Sequence, residues 1–158
     1  MTADILQPAV ALMIWTMIMW AWMYATRIPA MSKAQVDVDR LVSDPDASLD
    51  RTLPASVQWK AHNYNHLHEA PTVFYAVAIV LAIIGHGDGM NAFLAWIYTG
   101  LRVVHSLVQV TANKVMVRFV LFALSSVVLI ALIVKAALVV FGGDPGMAPG
   151  AELDPSVA

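Results

Sequence analysis

The sequence predicts an all-α membrane protein, a bundle of four transmembrane helices. Of its 158 residues 59% are hydrophobic and only 13% are charged, whereas about a quarter of the residues in a soluble domain are charged. The apolar residues gather in four stretches, and each approaches the roughly 20 residues that a spanning helix needs. One such bundle uses most of the chain, so we expect a single domain over residues 1–142.

The first two spans differ in how directly the sequence predicts them. Ala9–Ala25 is long enough alone, and because no basic residue precedes it, it predicts a retained helix over about residues 5–28 rather than a signal peptide. Ala70–Ile84 is shorter, so its helix must begin near residue 56 and run to about residue 85 to cross a bilayer.

The third and fourth spans differ in polarity. Phe93–Val110 contains Arg102, His105 and Gln109, so it can span only if these face protein rather than lipid. We expect its helix over about residues 90–112. Phe119–Phe141 carries a single charge and predicts a helix over about residues 116–141.

Basic residues lie on only two of the connections. The loop over residues 29–55 with its flanks, and the third loop, hold all of them, whereas the second loop and both tails hold none. Because basic loops stay in the cytoplasm, loops 1 and 3 should be cytoplasmic and both termini outside. Residues 143–158, rich in Gly, Pro and Asp, predict a disordered tail. The basic residues of these two loops and their flanks are Arg27, Lys33, Arg40, Arg51, Lys60, Lys114 and Arg118.

The start of the second span carries a polar face. His62, Asn65, His66 and Glu69 follow the spacing i, i+3, i+4 and i+7, which places them on one side of a continuous helix. His62, His66 and Glu69 also have metal-ligand side chains, but this spacing is common by chance, so we expect no metal site. Asn63 points off this face, and we assign it no role.

The third span carries a matching face. Arg102, His105 and Gln109 follow the spacing i, i+3 and i+7 at the same depth as the first face. Ionisable residues within a membrane usually face the bundle interior and mark function. Glu69 is the natural partner of Arg102, because a paired charge is cheaper to bury than an isolated one. The pair has two interpretations, a binding site or a purely structural lock between helices.

Such faces suit a small anionic, peptide-like or amphipathic molecule that arrives from the cytoplasm, with an apolar co-substrate arriving from the lipid. A guanidinium beside a bound thiol would stabilise its thiolate, the reactive form. With a net charge of −2, general binding to nucleic acid is not expected. Ion or proton transport is the least favoured interpretation, because the polar residues stop at mid-membrane and leave no continuous path.

Three motifs at fixed intervals resemble the MAPEG family, the membrane-associated proteins in eicosanoid and glutathione metabolism. They are Asn-His-Leu-His-Glu-Ala-Pro at residues 65–71, Leu-Arg-Val-Val-His-Ser at residues 101–106, and Arg118. The similar stretch extends from about residue 60 to residue 122, and the sequence looks like a divergent bacterial branch. The resemblance implies a bacterial inner-membrane protein with periplasmic termini.

The resemblance also implies a homotrimer that holds glutathione, as a co-substrate, between neighbouring subunits on the cytoplasmic side. Members act on lipophilic small molecules as transferases, peroxidases or isomerases, and some are not enzymes. By position, Arg118 would be the catalytic arginine beside the thiol. The glutathione-binding residues would be Asn65, His66, Glu69, Arg102, His105, Gln109 and Arg27.

The chain departs from the family pattern at several positions. Gln109 stands where eukaryotic members usually have a tyrosine, and Phe119 stands where some members have a serine. His62 and Asn65 replace the arginines that many members carry in the second span. These departures keep an alternative open, a non-catalytic membrane scaffold or an accessory subunit of a larger membrane complex.

Overall fold

The computed structural model of the chain describes residues 3–37, 39, 43–44 and 48–142, and the tail predicted over residues 143–158 lies outside them. Four segments are long and apolar enough to cross a membrane, and no strand occurs within the described ranges. The expected all-α chain with four candidate spans is therefore confirmed. The helices are α1 (Leu6–Lys33), α2 (Leu49–Thr52), α3 (Ala55–His66), α4 (Ala70–Ile83), α5 (Met90–Thr111) and α6 (Val115–Gly142).

The first span extends past the end that the sequence predicted near residue 28. α1 continues through Pro29 to Lys33. A proline inside a helix removes one backbone donor, here the N–H that would pair with the carbonyl of Ala25. The helix nevertheless carries its basic last turn beyond the apolar stretch, where Lys33 complements the negative end of the helix dipole.

The second span is two helices rather than the unbroken helix predicted over residues 56–85. α3 ends at His66 and α4 begins at Ala70. Pro71 has no N–H to offer the carbonyl of Leu67, and its ring would crowd that carbonyl in a continuous helix. In the first turn of α4 the missing N–H costs nothing. The break leaves carbonyl groups at the end of α3 available to other donors.

The bundle core lies where α1 meets α3, α4 and α5 and where α6 packs on α4 and α5. Apolar side chains of α1, α4, α5 and α6 fill this core. Within it the ring of Phe74 stacks on the ring of Tyr98, with centroids 4.4 Å apart. Large apolar side chains also cover the outside of the spans, among them Ile14 and Ile130. Such surfaces need a lipid or protein neighbour.

The N-terminal segment docks on the turn between α4 and α5. The amide of Ile5 donates to the carbonyl of Gly87 at 2.8 Å, and the amide of Asp4 donates to Oδ1 of Asp88 at 2.8 Å. A Cβ on Gly87 would lie 2.6 Å from Cβ of Ala3, so only glycine allows this close approach. The contact fixes the start of α1 against the α4–α5 pair.

Candidate functional site

The polar face of α5 points into the bundle. Arg102 is 1% exposed, and His105 and Gln109 are buried beside it. The 3.6-residue period of the helix accounts for this alignment, since residues at i, i+3 and i+7 share one side. Burying a guanidinium is costly, so the contacts around Arg102 decide what this face does.

Arg102 donates a hydrogen bond to the carboxyl end of α3. Its Nη2 donates to the backbone carbonyl of His66 at 2.9 Å. The negative end of the α3 dipole lies at the same place and favours a cation there. The guanidinium carbon also lies 6.0 Å from the ring centroid of Phe122, a cation–π contact. Nε and Nη1 of Arg102 are buried with no hydrogen-bond partner in the structure.

The expected Glu69–Arg102 pair is wrong. Oε2 of Glu69 lies 2.9 Å from Nδ1 of His66, and the Glu69 side chain is 61% exposed. No carboxylate pairs with Arg102 within the described ranges. The cause is the helix break, because Glu69 lies in the connection between α3 and α4 and no longer follows the face that a continuous helix would give it.

Asn63 has a role that the helical face did not assign to it. The residue is fully buried, and its Nδ2 donates to Oγ of Ser106 at 2.7 Å. This bond joins α3 to α5 next to the Arg102 contact. Sequence reasoning missed both residues because each lies one position from the face it followed. The signal was present, since an asparagine and a serine within spans need partners in an apolar surrounding.

A cavity of about 250 Å³ opens between the end of α3 and the first turns of α6. Arg102 does not line it but contacts two of its lining residues, His66 and Phe122. Three of the sequence-predicted site residues line it together. His66 and His105 meet there with ring centroids 6.2 Å apart in an edge-to-face arrangement. Arg118 lines the same cavity from α6. The remaining lining residues are Val115, Phe119 and Phe122.

The turn that precedes α6 holds the side chain of Arg118. Its Nη1 donates to Oδ1 of Asn113 at 2.7 Å, and its Nε is buried without a hydrogen-bond partner in the structure. Asn113 has a φ of 47°, in the left-handed region that asparagine tolerates better than most residues. The turn thus both connects α5 to α6 and aims the guanidinium at the cavity.

The other predicted residues lie outside this cavity. Asn65 is exposed on α3, Arg27 is half-buried on α1, and Gln109 is buried on α5 with its Oε1 unpartnered. His62 forms an ion pair with Asp50 of α2, with Nε2 and Oδ1 3.5 Å apart. A single chain therefore assembles part of the predicted set, and neither Asn65 nor Arg27 lines the cavity.

The arrangement offers a distinct chemistry. Two guanidinium groups with free N–H donors favour an anion, and two imidazoles can exchange a proton with a ligand. The phenyl rings of Phe119 and Phe122 form an apolar wall on the side of α6, where Phe119 is exposed. Such a site can hold an anionic group next to a lipophilic one.

The comparisons with known proteins agree with these motifs. The model of the MAPEG family matches residues 5–138, well over half of the chain, including the first three candidate spans and α6 up to Leu138. No curated protein and no solved structure matches the chain. The apolar spans and the family match make the chain an integral membrane protein. It belongs to the MAPEG family.

Proposed function

We propose that this protein assembles as a homotrimer, binds glutathione or a similar small thiol at the subunit interfaces, and uses it on lipophilic substrates as a transferase or peroxidase. One observation carries the proposal. The cavity brings Arg118, His66 and His105 together beside the buried Arg102, whose guanidinium keeps two N–H groups without partners. An uncompensated buried charge is costly, and an anionic ligand would compensate this one.

Each cation has its own task in this proposal. Arg118 lies next to the thiol and stabilises the thiolate, the form that attacks an electrophile. The free Nε and Nη1 of Arg102 bind a carboxylate or peptide carbonyl of the thiol compound. Phe119 and Phe122 contact the lipophilic substrate, which enters from the bilayer along the exposed side of α6.

The size of the cavity supports an interface between subunits. At about 250 Å³ it is smaller than the roughly 300–1,000 Å³ of a ligand site, so a neighbouring chain would complete it. α6 exposes apolar side chains such as Val127 and Leu138 that a neighbour can cover. Arg27 and Asn65, which lie outside the cavity of their own chain, are the residues that a neighbour would contribute or receive.

The basic connections set the orientation that we propose. Loops 1 and 3 lie in the cytoplasm of a bacterial cell and both termini in the periplasm, with the chain in the inner membrane. The cavity lies next to loop 3, because Val115, Arg118 and Phe119 in its wall belong to the first turns of α6. A water-soluble thiol would therefore reach it from the cytoplasm.

Conjugation of glutathione to a generic electrophile, with protein purified in detergent, tests the activity. We expect Arg118→Ala to lower kcat/KM by roughly 100-fold, the scale for one group that stabilises a developing or reactive anion. Lys114→Ala is the matched control, because Lys114 is an exposed cation one turn away that does not line the cavity. Equal background rates in the wild type and both variants would contradict an enzymatic role.

Phe119 and Gln109 favour a second candidate, a non-catalytic membrane scaffold or accessory subunit. Phe119 occupies the wall next to Arg118 where a hydroxyl would assist the chemistry, and Gln109 is buried away from the cavity. A thermal-shift titration with glutathione separates the two functions. Binding to the folded state alone adds about 2.7 kcal/mol at 100 times Kd. Absence of any shift up to millimolar thiol would support the scaffold.

A further inference from the structure

We infer that His66, held by Glu69, is the residue that takes the proton of the bound thiol and returns it to the product of addition to an activated alkene. This inference rests on the proposed function, since it needs a thiol in the cavity. It starts from the contact of Nδ1 of His66 with Oε2 of Glu69 at 2.9 Å and from the place of His66 in the cavity wall.

The cavity wall offers few groups that can carry a proton. Of its six lining residues, Val115, Phe119 and Phe122 are apolar. Arg118 stays charged and cannot act as a base. The remaining two are the imidazoles of His66 and His105, and imidazole is a group that can both accept and donate a proton. A proton that leaves the thiol inside this cavity therefore goes to one of two histidines or to water.

The carboxylate distinguishes these two histidines. Oε2 of Glu69 lies 2.9 Å from Nδ1 of His66, too poorly aligned for a hydrogen bond in the thiol-free structure but close enough to compensate the charge of an imidazolium. In the proposed step Glu69 pairs with Nδ1, and Nε2 is the nitrogen that meets the ligand. Among the described residues no carboxylate pairs with His105, whose ring is buried with Arg102 on the same helix face. A base oriented by a third group is the arrangement that activates weak nucleophiles in many enzymes.

Charged and titratable groups from three parts of the fold lie around His66. It is faced by Glu69 from the α3–α4 connection, by Arg102 and His105 from α5, and by Arg118 from α6. The imidazole therefore lies between one carboxylate and two guanidinium groups. Once the thiolate has formed beside Arg118, the imidazolium and thiolate are a neutral pair, and Glu69 orients the ring.

The step balances for an α,β-unsaturated carbonyl compound. The S–H bond breaks and an N–H bond forms on Nε2 of His66. The thiolate then forms a C–S bond at the β-carbon, and the electron pair of the alkene moves to the α-carbon. The imidazolium returns its proton to that carbon, so the thiol has added across the double bond and no other reactant is needed.

Proton counting tests the inference in the full-length protein. Glutathione is titrated calorimetrically in two buffers of different ionisation enthalpy, and ultraviolet absorbance reports the thiolate. We expect the wild type to form the thiolate without releasing a proton to the buffer. His66→Gln should release about one proton per thiol bound and lose roughly 100-fold or more in the rate of addition, the scale of general acid–base catalysis.

Two variants make the result specific. Glu69→Gln changes a mostly exposed side chain, so the protein should fold, and as a positioning residue it should lower kcat more than it raises KM. His105→Gln should keep the proton count of the wild type. An unchanged count in His66→Gln, with or without slower addition, overturns the inference, as does a changed count that follows His105→Gln instead. Failure of the wild type to bind the thiol overturns the proposed function and this inference together.

Discussion

The guanidinium of Arg102 donates to the backbone carbonyl of His66 at 2.9 Å, which joins the most buried charge of the bundle to the end of a broken helix. At the break over residues 67–69 the His66 carbonyl accepts only a long bond of 3.4 Å from the Glu69 amide, so it remains available to the guanidinium. The same break places Glu69 against His66 instead of Arg102. Proline in the second span therefore shapes the candidate site without lining it.

Arg102→Met should leave the thiol-free protein as stable as the wild type or more stable. Replacing a buried charge by an apolar side chain of similar volume is often neutral or stabilising by about 1–4 kcal/mol. The loss of a charged partner for the His66 carbonyl, about 1–3 kcal/mol, offsets part of the gain. Unfolding in mixed micelles measures the free energy of unfolding of both proteins. A glutathione titration should show that Arg102→Met has lost the stabilisation that the ligand gives to the wild type.

Lys135→Met is the control for that substitution, because Lys135 is exposed on α6. It should change neither the stability nor the response to glutathione by a measurable amount. A loss of more than about 3 kcal/mol in Arg102→Met, the scale for breaking a buried pair, would instead make Arg102 a structural lock between α3 and α5.

Asn113→Gly should keep the fold and lower the activity. Glycine accepts the φ of 47° at this turn at least as well as asparagine, but it removes the oxygen that receives Nη1 of Arg118. A misplaced catalytic group costs on the order of 10- to 100-fold in rate. Steady-state kinetics of conjugation measures the loss. Gln35→Gly, at the same φ in loop 1, should leave the rate unchanged; an equal loss there would point to a general effect on folding.

A double-mutant cycle on Asn63 and Ser106 should give a coupling energy of about 0.6–1.7 kcal/mol, the range found for hydrogen bonds between membrane helices. The two side chains join α3 to α5 at 2.7 Å in a buried place. The coupling energy is obtained from the free energies of unfolding of the wild type, Asn63→Ala, Ser106→Ala and the double variant. Asn63→Ala combined with Ser126→Ala should be additive, since Ser126 bonds only the carbonyl of Phe122 on its own helix.

Gly87→Ala should destabilise the bundle by about 1–3 kcal/mol, the cost of overpacking. The new methyl would lie 2.6 Å from Cβ of Ala3 and 2.9 Å from Cγ2 of Ile5, so the N-terminal segment must move. Hydrogen exchange should increase at the Ile5 amide, which donates to Gly87. Gly100→Ala, inside α5 with open space around its Cβ, should be neutral or stabilising by up to about 1 kcal/mol. Similar losses in both variants would refute the docking explanation.

The helical spacing of polar residues and the intervals between motifs predicted part of the site. The spacing of Arg102, His105 and Gln109 indicated one polar face, and all three are buried on α5. The neighbourhood of His66, His105 and Arg118 followed from the family intervals, and the three line one cavity. The partner of Glu69 was mispredicted, because a helical face was extended through residues 67–69, where the helix breaks ahead of Pro71. The bond between Asn63 and Ser106 was not foreseen.

The sequence by itself determined the four apolar spans, the polar face of α5 and the membership of the MAPEG family, because these depend on composition, helical period and motif interval. Only the tertiary structure decided which groups satisfy the buried polar atoms. Arg102 meets the His66 carbonyl, Asn63 meets Ser106, and Arg118 meets Asn113. Such pairings depend on where helices end and how they cross, and a break of three residues is enough to exchange one partner for another.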